Sequence, residues 1–263
     1  MPVGVITGSG AYSLPGLQDG EQTEVATPYG RAEVTRGKLG SEEVLHVSRH
    51  GEEHHRLSNH VPHRAHIWAL KEAGARCVVA TTACGAVDPD VPLGGLIVFD
   101  DLHFPVNRLD DGSICTFFDT PGERGRGHWI YDGPFSAPLR PVLVEAGREA
   151  GREVRDGGCY GHVDGPRFNT RAEIAQLAAC GVTAVSQTAG PETVLAGELE
   201  LPYALIGFAT DYANGVKPEA PTPVEELIRL VEASTATFAR TLAAAVPRVR
   251  TAPDPVGTHF SWD

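Results

Sequence analysis

Residues 186–215 contain the end of one apolar strand, a helix opened by Gly190 and Pro191, and a second apolar strand from Tyr203 to Ala209. Strand–helix–strand units build α/β sheets, in which ligands bind beyond the carboxyl ends of the strands. Both strands run into polar residues, which are Ser186, Gln187 and Thr188 after the first and Thr210 and Asp211 after the second. The two strand ends therefore outline a pocket.

Asp211 has two interpretations on the local pattern. Desolvation raises the pKa of a carboxyl group at the end of a buried strand, which makes such a group a candidate proton donor. The other interpretation is that Asp211 caps a helix or forms a turn, a common role of Asp. The local pattern fits both equally.

The rest of the chain continues the alternation of strands and helices. Its 263 residues are within the range of one α/β unit, and neither an internal repeat nor an interdomain linker is visible. We therefore expect a single domain over residues 1–263, with residues 247–263 as a C-terminal tail. The irregular segment from Pro105 to Asp132 is a candidate lid or subunit contact.

Four helices have recognisable boundaries in the sequence. Gly74 closes a helix over residues 62–73, and apolar residues recur at helical spacing over residues 136–150. Thr170 and Glu173 form the capping-box pattern. The last helix is predicted to begin with Thr222 as its cap and Pro223 at its first position, and to run to about Ala245.

The net charge of −12 argues against a nucleic-acid partner, which requires clustered Lys and Arg. It still allows an anionic small substrate, because a few Arg and His side chains form a local positive pocket. Five scattered cysteines without a CxxC motif indicate reduced thiols and a cytoplasmic location. No signal-peptide pattern is present, and no apolar run approaches the ~20 residues of a membrane span, so no membrane association is expected.

Several strand ends carry groups that bind anions. The first strand, residues 1–7, runs into Gly8-Ser9-Gly10, which is either a structural turn or a phosphate loop. A dinucleotide fingerprint requires Gly at position 13, where Ser13 stands. Arg49 and His50 follow another strand and form either an anion clamp or an exposed turn. In the stretch CVVATTACGA, residues 77–86, an apolar strand is predicted to end in Thr81, Thr82 and Ala83, with Gly85 just beyond, and these residues add further donors.

Six histidines lie within the seventeen positions from His50 to His66. A zinc hydrolase is therefore an alternative, with His63 and His66 one helical turn apart. Against it, no HExxH motif is present, and only Glu52 and Glu53 lie close in sequence as acidic ligands. We favour the interpretation without a metal site.

Seven sequence segments together resemble the trimeric purine nucleoside phosphorylases, above all the methylthioadenosine phosphorylase branch. They are GVITGSG, SRHGEEH, VPHRAHIWALKEAG, TTACGAV, GPRFNTRAE, TAGPE with VLAGELELPYA, and ATDYANG. The resemblance implies a homotrimer of three-layer αβα subunits with a central twisted mixed sheet. It also implies phosphorolysis of a purine nucleoside to free base and ribose 1-phosphate, with inorganic phosphate as co-substrate and no cofactor.

The same resemblance implies roles for individual residues. Phe168 would stack on the purine, Asn169 would lie at its edge, and Gln187 would lie along the ribose. Asp211 would hydrogen-bond the base at N7, and His128 of a neighbouring subunit would approach the 5′ end of the sugar. The phosphate ligands would be Ser9, Arg49, His50, Thr82, the backbone amide of Ala83, and Thr188.

The carboxyl group at position 211 favours a 6-aminopurine over a 6-oxopurine, which remains the alternative substrate class. The chain also departs from the family pattern at four places. Glu225 and Glu226 fall where an apolar 5′ pocket is expected, which favours a polar 5′ substituent over methylthio. The other departures are Gln187 in place of Met, Ala213 in place of a second Asp, and Phe104-Pro105 in place of Asp-Arg. A binding protein without catalysis is disfavoured, because Arg49 and Thr188 are retained.

Overall fold

In a computed structural model, residues 1–9, 11–217, 222–249 and 251–262 are described, and within them eleven strands form one mixed sheet. Two further strands, β8 and β13, form a separate antiparallel ribbon. The strands are β1 (Val3–Thr7), β2 (Gln18–Thr27), β3 (Gly30–Leu39), β4 (Glu42–Ser48), β5 (Val78–Ala86), β6 (Leu96–Val98), β7 (Asp101–His103), β8 (Gly127–Ile130), β9 (Val154–Asp156), β10 (Cys159–His162), β11 (Val182–Ser186), β12 (Tyr203–Tyr212) and β13 (Thr258–Ser261). The helices are α1 (His63–Glu72), α2 (Leu139–Glu149), α3 (Arg171–Ala179), α4 (Ala189–Glu198) and α5 (Val224–Ala245).

The sheet is built around β5. The main strand order is β2-β3-β4-β1-β5-β11-β10-β7, and β12 also pairs with β5 and continues the sheet to β6 and β9. β5 is parallel to β1 and β12 and antiparallel to β11. The carboxyl ends of β1, β4, β5 and β12 consequently lie at one edge of the sheet, together with the end of β11.

Helices cover both faces of the sheet, as alternation along β12 shows. Leu205 and Ala209 belong to the hydrophobic cluster that includes residues of α1 and α4. Ile206 and Phe208 belong to the opposite cluster, which includes residues of α2 and α5. A strand presents successive side chains to opposite faces, so both faces are buried and the predicted αβα layering is confirmed. Among the described residues, no helix has the length and apolar character needed to cross a membrane.

Most of the predicted elements are confirmed, including the first strand and the helices near residues 62–73 and 136–150. The capping box is present, since the Glu173 amide donates to the Thr170 hydroxyl and the Thr170 amide to the Glu173 carboxylate. The Thr222 cap was wrong: α5 begins at Val224, its N-cap position is Pro223, and no side chain caps it.

Two strands extend further than the sequence pattern indicates. β5 continues past Ala83 to Ala86, and β12 continues past Thr210 and Asp211 to Tyr212. The extensions form because Asp211 pairs with Gly85 while β11 pairs with the same end of β5. Asp211 is thus a strand residue, and the helix-cap or turn interpretation was wrong.

The segment from Pro105 to Asp132 and the C-terminal tail are joined by an unexpected contact. β8 lies in the former and β13 in the latter, and Thr258 to Ser261 pair with Ile130 to Gly127. Sequence periodicity did not reveal this pairing, because both strands are only four residues long.

Candidate active site

A cavity of about 310 Å³ lies at the carboxyl edge of the sheet. The six residues predicted to bind phosphate all line it, although they come from four separate parts of the chain. Ser9 follows β1, Arg49 and His50 follow β4, Thr82 and Ala83 lie in β5, and Thr188 precedes α4. Gly10, the last residue of the predicted glycine turn, lies outside the described residues.

Arg49 is fixed from three sides. Its Nε and Nη2 atoms donate to the two carboxylate oxygens of Glu192 at 2.5 and 2.9 Å, and Nη1 donates to the Thr81 carbonyl at 2.9 Å. A Cβ at Gly8 would lie 2.6 Å from Nη1, so only glycine lets the backbone approach the guanidinium this closely. Three of the five N–H groups are thus engaged, and two remain for a ligand in the cavity.

The Arg49–Glu192 pair is buried, with side-chain exposures of 1% and 0%. Burial opposes the charge of Arg49, but the carboxylate of Glu192 outweighs burial and raises the pKa of Arg49. Tyr203 donates a further hydrogen bond of 2.8 Å to Glu192. Sequence reasoning assigned no role to Glu192, because its partner is 143 positions away.

His50 has a defined tautomer. Its Nδ1 lies 2.9 Å from the Arg56 carbonyl, which only accepts, so Nδ1 carries the proton and Nε2 is an acceptor in the neutral ring. Burial, supported by the charge of Arg49, lowers the pKa of His50 to about 4. The ring of His54 stacks on that of His50 with their centroids 4.2 Å apart, and His54 also lines the cavity. The sequence alone did not predict this contribution.

Two of the remaining phosphate candidates, Thr82 and Thr188, are hydrogen-bonded to hydroxyl groups. Thr82 donates to the Ser186 hydroxyl at 2.9 Å. The backbone amides of Thr188 and Ala189 donate to the Tyr160 hydroxyl at 3.4 and 3.1 Å. The buried Tyr160 ring thereby holds the first turn of α4 against the edge of the sheet.

Phe168, Asn169 and Gln187, which were predicted to bind the nucleoside, line the same cavity. Phe168 is 62% exposed, so most of its surface is uncovered within the chain. Asn214, not predicted as a site residue, donates a hydrogen bond of 2.7 Å to the Asn169 carbonyl. The amide of Gln187 was expected to face the sugar, but both of its ends are hydrogen-bonded to protein groups, Ser58 and the Arg167 carbonyl.

Asp211 lies one layer behind the cavity wall. Its carboxylate lies against Gly85, where a Cβ would be 3.2 Å from Oδ2, and Gly85 lines the cavity. Burial raises the pKa of Asp211, and a 2.9 Å hydrogen bond from Thr210 partly opposes the rise. Asp211 itself is not among the residues that line the cavity, and Gly85 is the lining residue next to its carboxylate.

His128 is not part of the cavity of its own chain. It lies on β8 and lines a second cavity of about 660 Å³ together with Trp129 and Glu198. The resemblance places this histidine in a neighbouring subunit's site, and its position in a single chain leaves that prediction open.

α5 supplies an apolar wall. Leu227 and Val231, one helical turn apart, line the cavity. Glu225 is exposed, and Glu226 forms a 2.5 Å ion pair with Arg229 on the outer face of the helix. The prediction of an acidic 5′ wall was therefore wrong, because each residue turns the helix by about 100° and the acids lie on a different face.

The histidine-rich stretch does not converge on a metal site. Within the described part of the chain, no three His, Cys, Asp or Glu side chains are placed to hold a metal ion. His63 and His66 are buried, and burial lowers the pKa of His66 to about 3. Both are among the buried residues of α1.

The chain matches the model of the phosphorylase superfamily over residues 2–247. It is 34% identical over 252 residues to a 6-oxopurine nucleoside phosphorylase of Pyrococcus furiosus, covering 94% of this chain and 92% of that protein. It is 36% identical over 249 residues to an S-methyl-5′-thioadenosine phosphorylase of Mycobacterium tuberculosis, covering 94% and 89% of the two chains.

Solved structures of related enzymes have the same fold as this chain. A methylthioadenosine phosphorylase of Schistosoma mansoni in complex with adenine superimposes with a TM-score of 0.86 at 27% sequence identity, covering 95% of this chain and 91% of the other. Fold, sequence and cavity agree, and the chain belongs to the phosphorylase superfamily, among its purine nucleoside phosphorylases related to methylthioadenosine phosphorylase.

Proposed function

We propose that the protein catalyses phosphorolysis of a 6-aminopurine nucleoside, including 5′-modified nucleosides, with inorganic phosphate as co-substrate and no cofactor. One observation carries the proposal. Six anion-binding candidates meet in a cavity that also holds an open aromatic ring at Phe168 and, behind Gly85, a carboxyl group with a raised pKa. The anion donors would hold the phosphate, and the aromatic ring and the carboxyl group would stack on and protonate the base.

The chemistry follows from this arrangement. A phosphate oxygen, held by Arg49 and the hydroxyl donors, forms a bond to C1′ as the C1′–N9 bond breaks. Positive charge develops on the sugar, and the phosphate below it stabilises that charge. Negative charge on the departing base is neutralised when the Asp211 carboxyl donates its proton to N7. General acid help of this kind is worth ~10²–10⁴-fold in rate, or ~3–5 kcal/mol.

The identity of the base rests on Asp211. A protonated carboxyl donates to N7, and its other oxygen accepts from an exocyclic 6-amino group. A 6-oxopurine is the second candidate, and it is favoured by Ala213, which offers no second carboxylate to the base edge, and by the similarity to a 6-oxopurine enzyme.

The 5′ group is proposed to be apolar. Leu227 and Val231 form an apolar part of the wall, where a methylthio group is better accommodated than a charged one. Each CH₂-sized group buried there stabilises binding by ~0.8 kcal/mol.

Leu227→Ala is expected to lower kcat/KM for a 5′-methylthio nucleoside by about 15–60-fold, from the loss of two to three buried carbon atoms at ~0.8 kcal/mol each. The kcat/KM for the matching 5′-hydroxyl nucleoside should change less than twofold. Ile228→Ala is the matched control, since Ile228 is the next residue on the helix and is 54% exposed. Equal losses for both nucleosides with Leu227→Ala would contradict an apolar 5′ wall.

We extend the proposal to a homotrimer in the cytoplasm, in which His128 of one subunit completes the site of the next. The support is that His128 lies away from its own cavity, on the ribbon of β8 and β13, where Phe260 and the following Trp262 are 48% and 63% exposed. The five cysteines are free thiols, as expected in a reducing compartment.

A substrate panel tests the proposed reaction. Adenosine, inosine and their 5′-methylthio forms are assayed for base release with and without phosphate. The expected result is saturable dependence on phosphate and a higher kcat/KM for the 6-amino bases. A higher value for the 6-oxo bases would move the assignment to the second candidate.

A further inference from the structure

The loop between β10 and α3 carries Phe168, and packing contributes little to its position. The ring is 62% exposed, so a purine that stacks on it depends on where the backbone holds it. Arg167 points away from the cavity to an exposed ion pair with Glu173, 2.7 Å long. The hydrogen bonds of the loop backbone therefore decide the height of the Phe168 ring over the cavity.

One of those bonds comes from Gln187. Its Nε2 donates to the Arg167 carbonyl at 3.0 Å, immediately before Phe168. Its Oε1 accepts from the Ser58 hydroxyl at 2.8 Å. Ser58 lies on the segment that follows the Arg49–His50 strand end, and its side chain is buried at the cavity wall. A single amide thus connects the loop of the aromatic ring to the segment beside the anion donors.

Gly165 makes this connection sterically possible. A Cβ at that position would overlap both the Gln187 amide and the Ser58 hydroxyl. Three chain segments therefore meet at one point, and the amide of Gln187 is satisfied by protein at both ends. On the other side of the loop, the Asn214 amide donates to the Asn169 carbonyl.

We propose that Gln187 is a positioning residue for the purine: its amide bridges Ser58 and the Arg167 carbonyl and so sets the place of Phe168. Gln187 acts on the base through Phe168 and does not act as a ligand of the sugar. The inference rests on the proposed function only for the identity of the ligand, a planar purine.

The test is Gln187→Met, which keeps an unbranched side chain of similar length and removes both hydrogen bonds. Loss of two neutral hydrogen bonds predicts that the dissociation constants of free adenine and hypoxanthine rise ~10-fold. KM for the nucleoside should rise by the same factor, while kcat and the dissociation constant of phosphate change less than twofold. The backbone amides of residues 164–169, apart from Pro166, should exchange hydrogen faster than in the wild type.

Two further variants test the two hydrogen bonds of the Gln187 amide separately. Ser58→Ala removes one bond and is expected to weaken base binding ~3–5-fold. Gln187→Glu keeps the acceptor for Ser58 but sets a carboxylate against the Arg167 carbonyl, so base binding should weaken at least as much as in Gln187→Met. Gln176→Met, at an exposed position on α3, is the control and should leave all these values unchanged.

Three results would overturn the inference. One is unchanged binding of free base in Gln187→Met. Another is a loss confined to nucleosides and absent with 2′- or 3′-deoxy analogues, which would make Gln187 a sugar ligand. The third is an equal loss of phosphate affinity, which indicates general destabilisation. Base binding and hydrogen exchange need no turnover, so they remain informative even if phosphate-dependent base release fails in the wild type.

Discussion

Arg49→Met is expected to abolish phosphate use and to destabilise the fold at the same time. The substitution removes a guanidinium whose two free N–H groups are available to the anion, and loss of one such donor typically costs ~10²–10³-fold in rate. It also leaves Glu192 buried with Tyr203 as its remaining side-chain donor. Breaking a buried ion pair on one side lowers the free energy of unfolding by ~3–5 kcal/mol.

A double variant separates the two effects. Arg49→Met with Glu192→Gln removes both charges and keeps an acceptor for Tyr203, so most of the unfolding free energy should return. Phosphate-dependent turnover should stay lost. Arg155→Met is the surface control: its 2.6 Å pair with Asp88 is partly exposed, and its loss should cost at most ~1 kcal/mol without affecting turnover. Recovery of turnover in the double variant would show that Arg49 is not needed to bind phosphate.

Asp211→Asn is expected to lower kcat for 6-aminopurine nucleosides by ~10²–10⁴-fold, because the amide cannot pass a proton to N7. The loss for 6-oxopurine nucleosides should be smaller, so the preference shifts toward the oxo base. Asp101→Asn, an exposed carboxylate on β7, is the control and should have no effect. Equal kcat of Asp211→Asn and wild type on both bases would show that no acid acts at this position.

The pH profile gives a second readout for Asp211. Burial raises the pKa of this carboxyl, and the donor form is the protonated one, so the rate should fall as pH rises through that pKa. Thr210→Val removes the hydrogen bond that stabilises the carboxylate, which should raise the pKa and move the alkaline limb to higher pH. If the alkaline limb of the pH profile does not shift in Thr210→Val, or is still present in Asp211→Asn, it reports the titration of a group other than Asp211.

The position of the site was predictable from polar residues that follow apolar strands. Ser9, Arg49, Thr82 and Thr188 stand at or beside such strands, and the α/β topology brings these parts of the chain to one edge of the sheet. Their convergence depends on the order of the strands, which the family resemblance supplied and the local pattern did not.

The tertiary partners of the site were not predictable in the same way. Glu192 pairs with Arg49 across 143 positions, and the sequence around either residue does not predict the pair. On α5, the acids Glu225 and Glu226 directly precede Leu227, and the sequence alone did not show which face of the helix lines the cavity. Asp211 was read as the end of a strand, because its pairing with Gly85 comes from a distant part of the chain.

Product analysis by phosphorus NMR tests the central claim most directly, that phosphate in the Arg49 site attacks the sugar. With a 6-aminopurine nucleoside and phosphate, we predict one ribose 1-phosphate for each base released, and almost no base release when phosphate is omitted. Base release at an equal rate without phosphate, accompanied by free sugar, would contradict the claim and indicate a hydrolase.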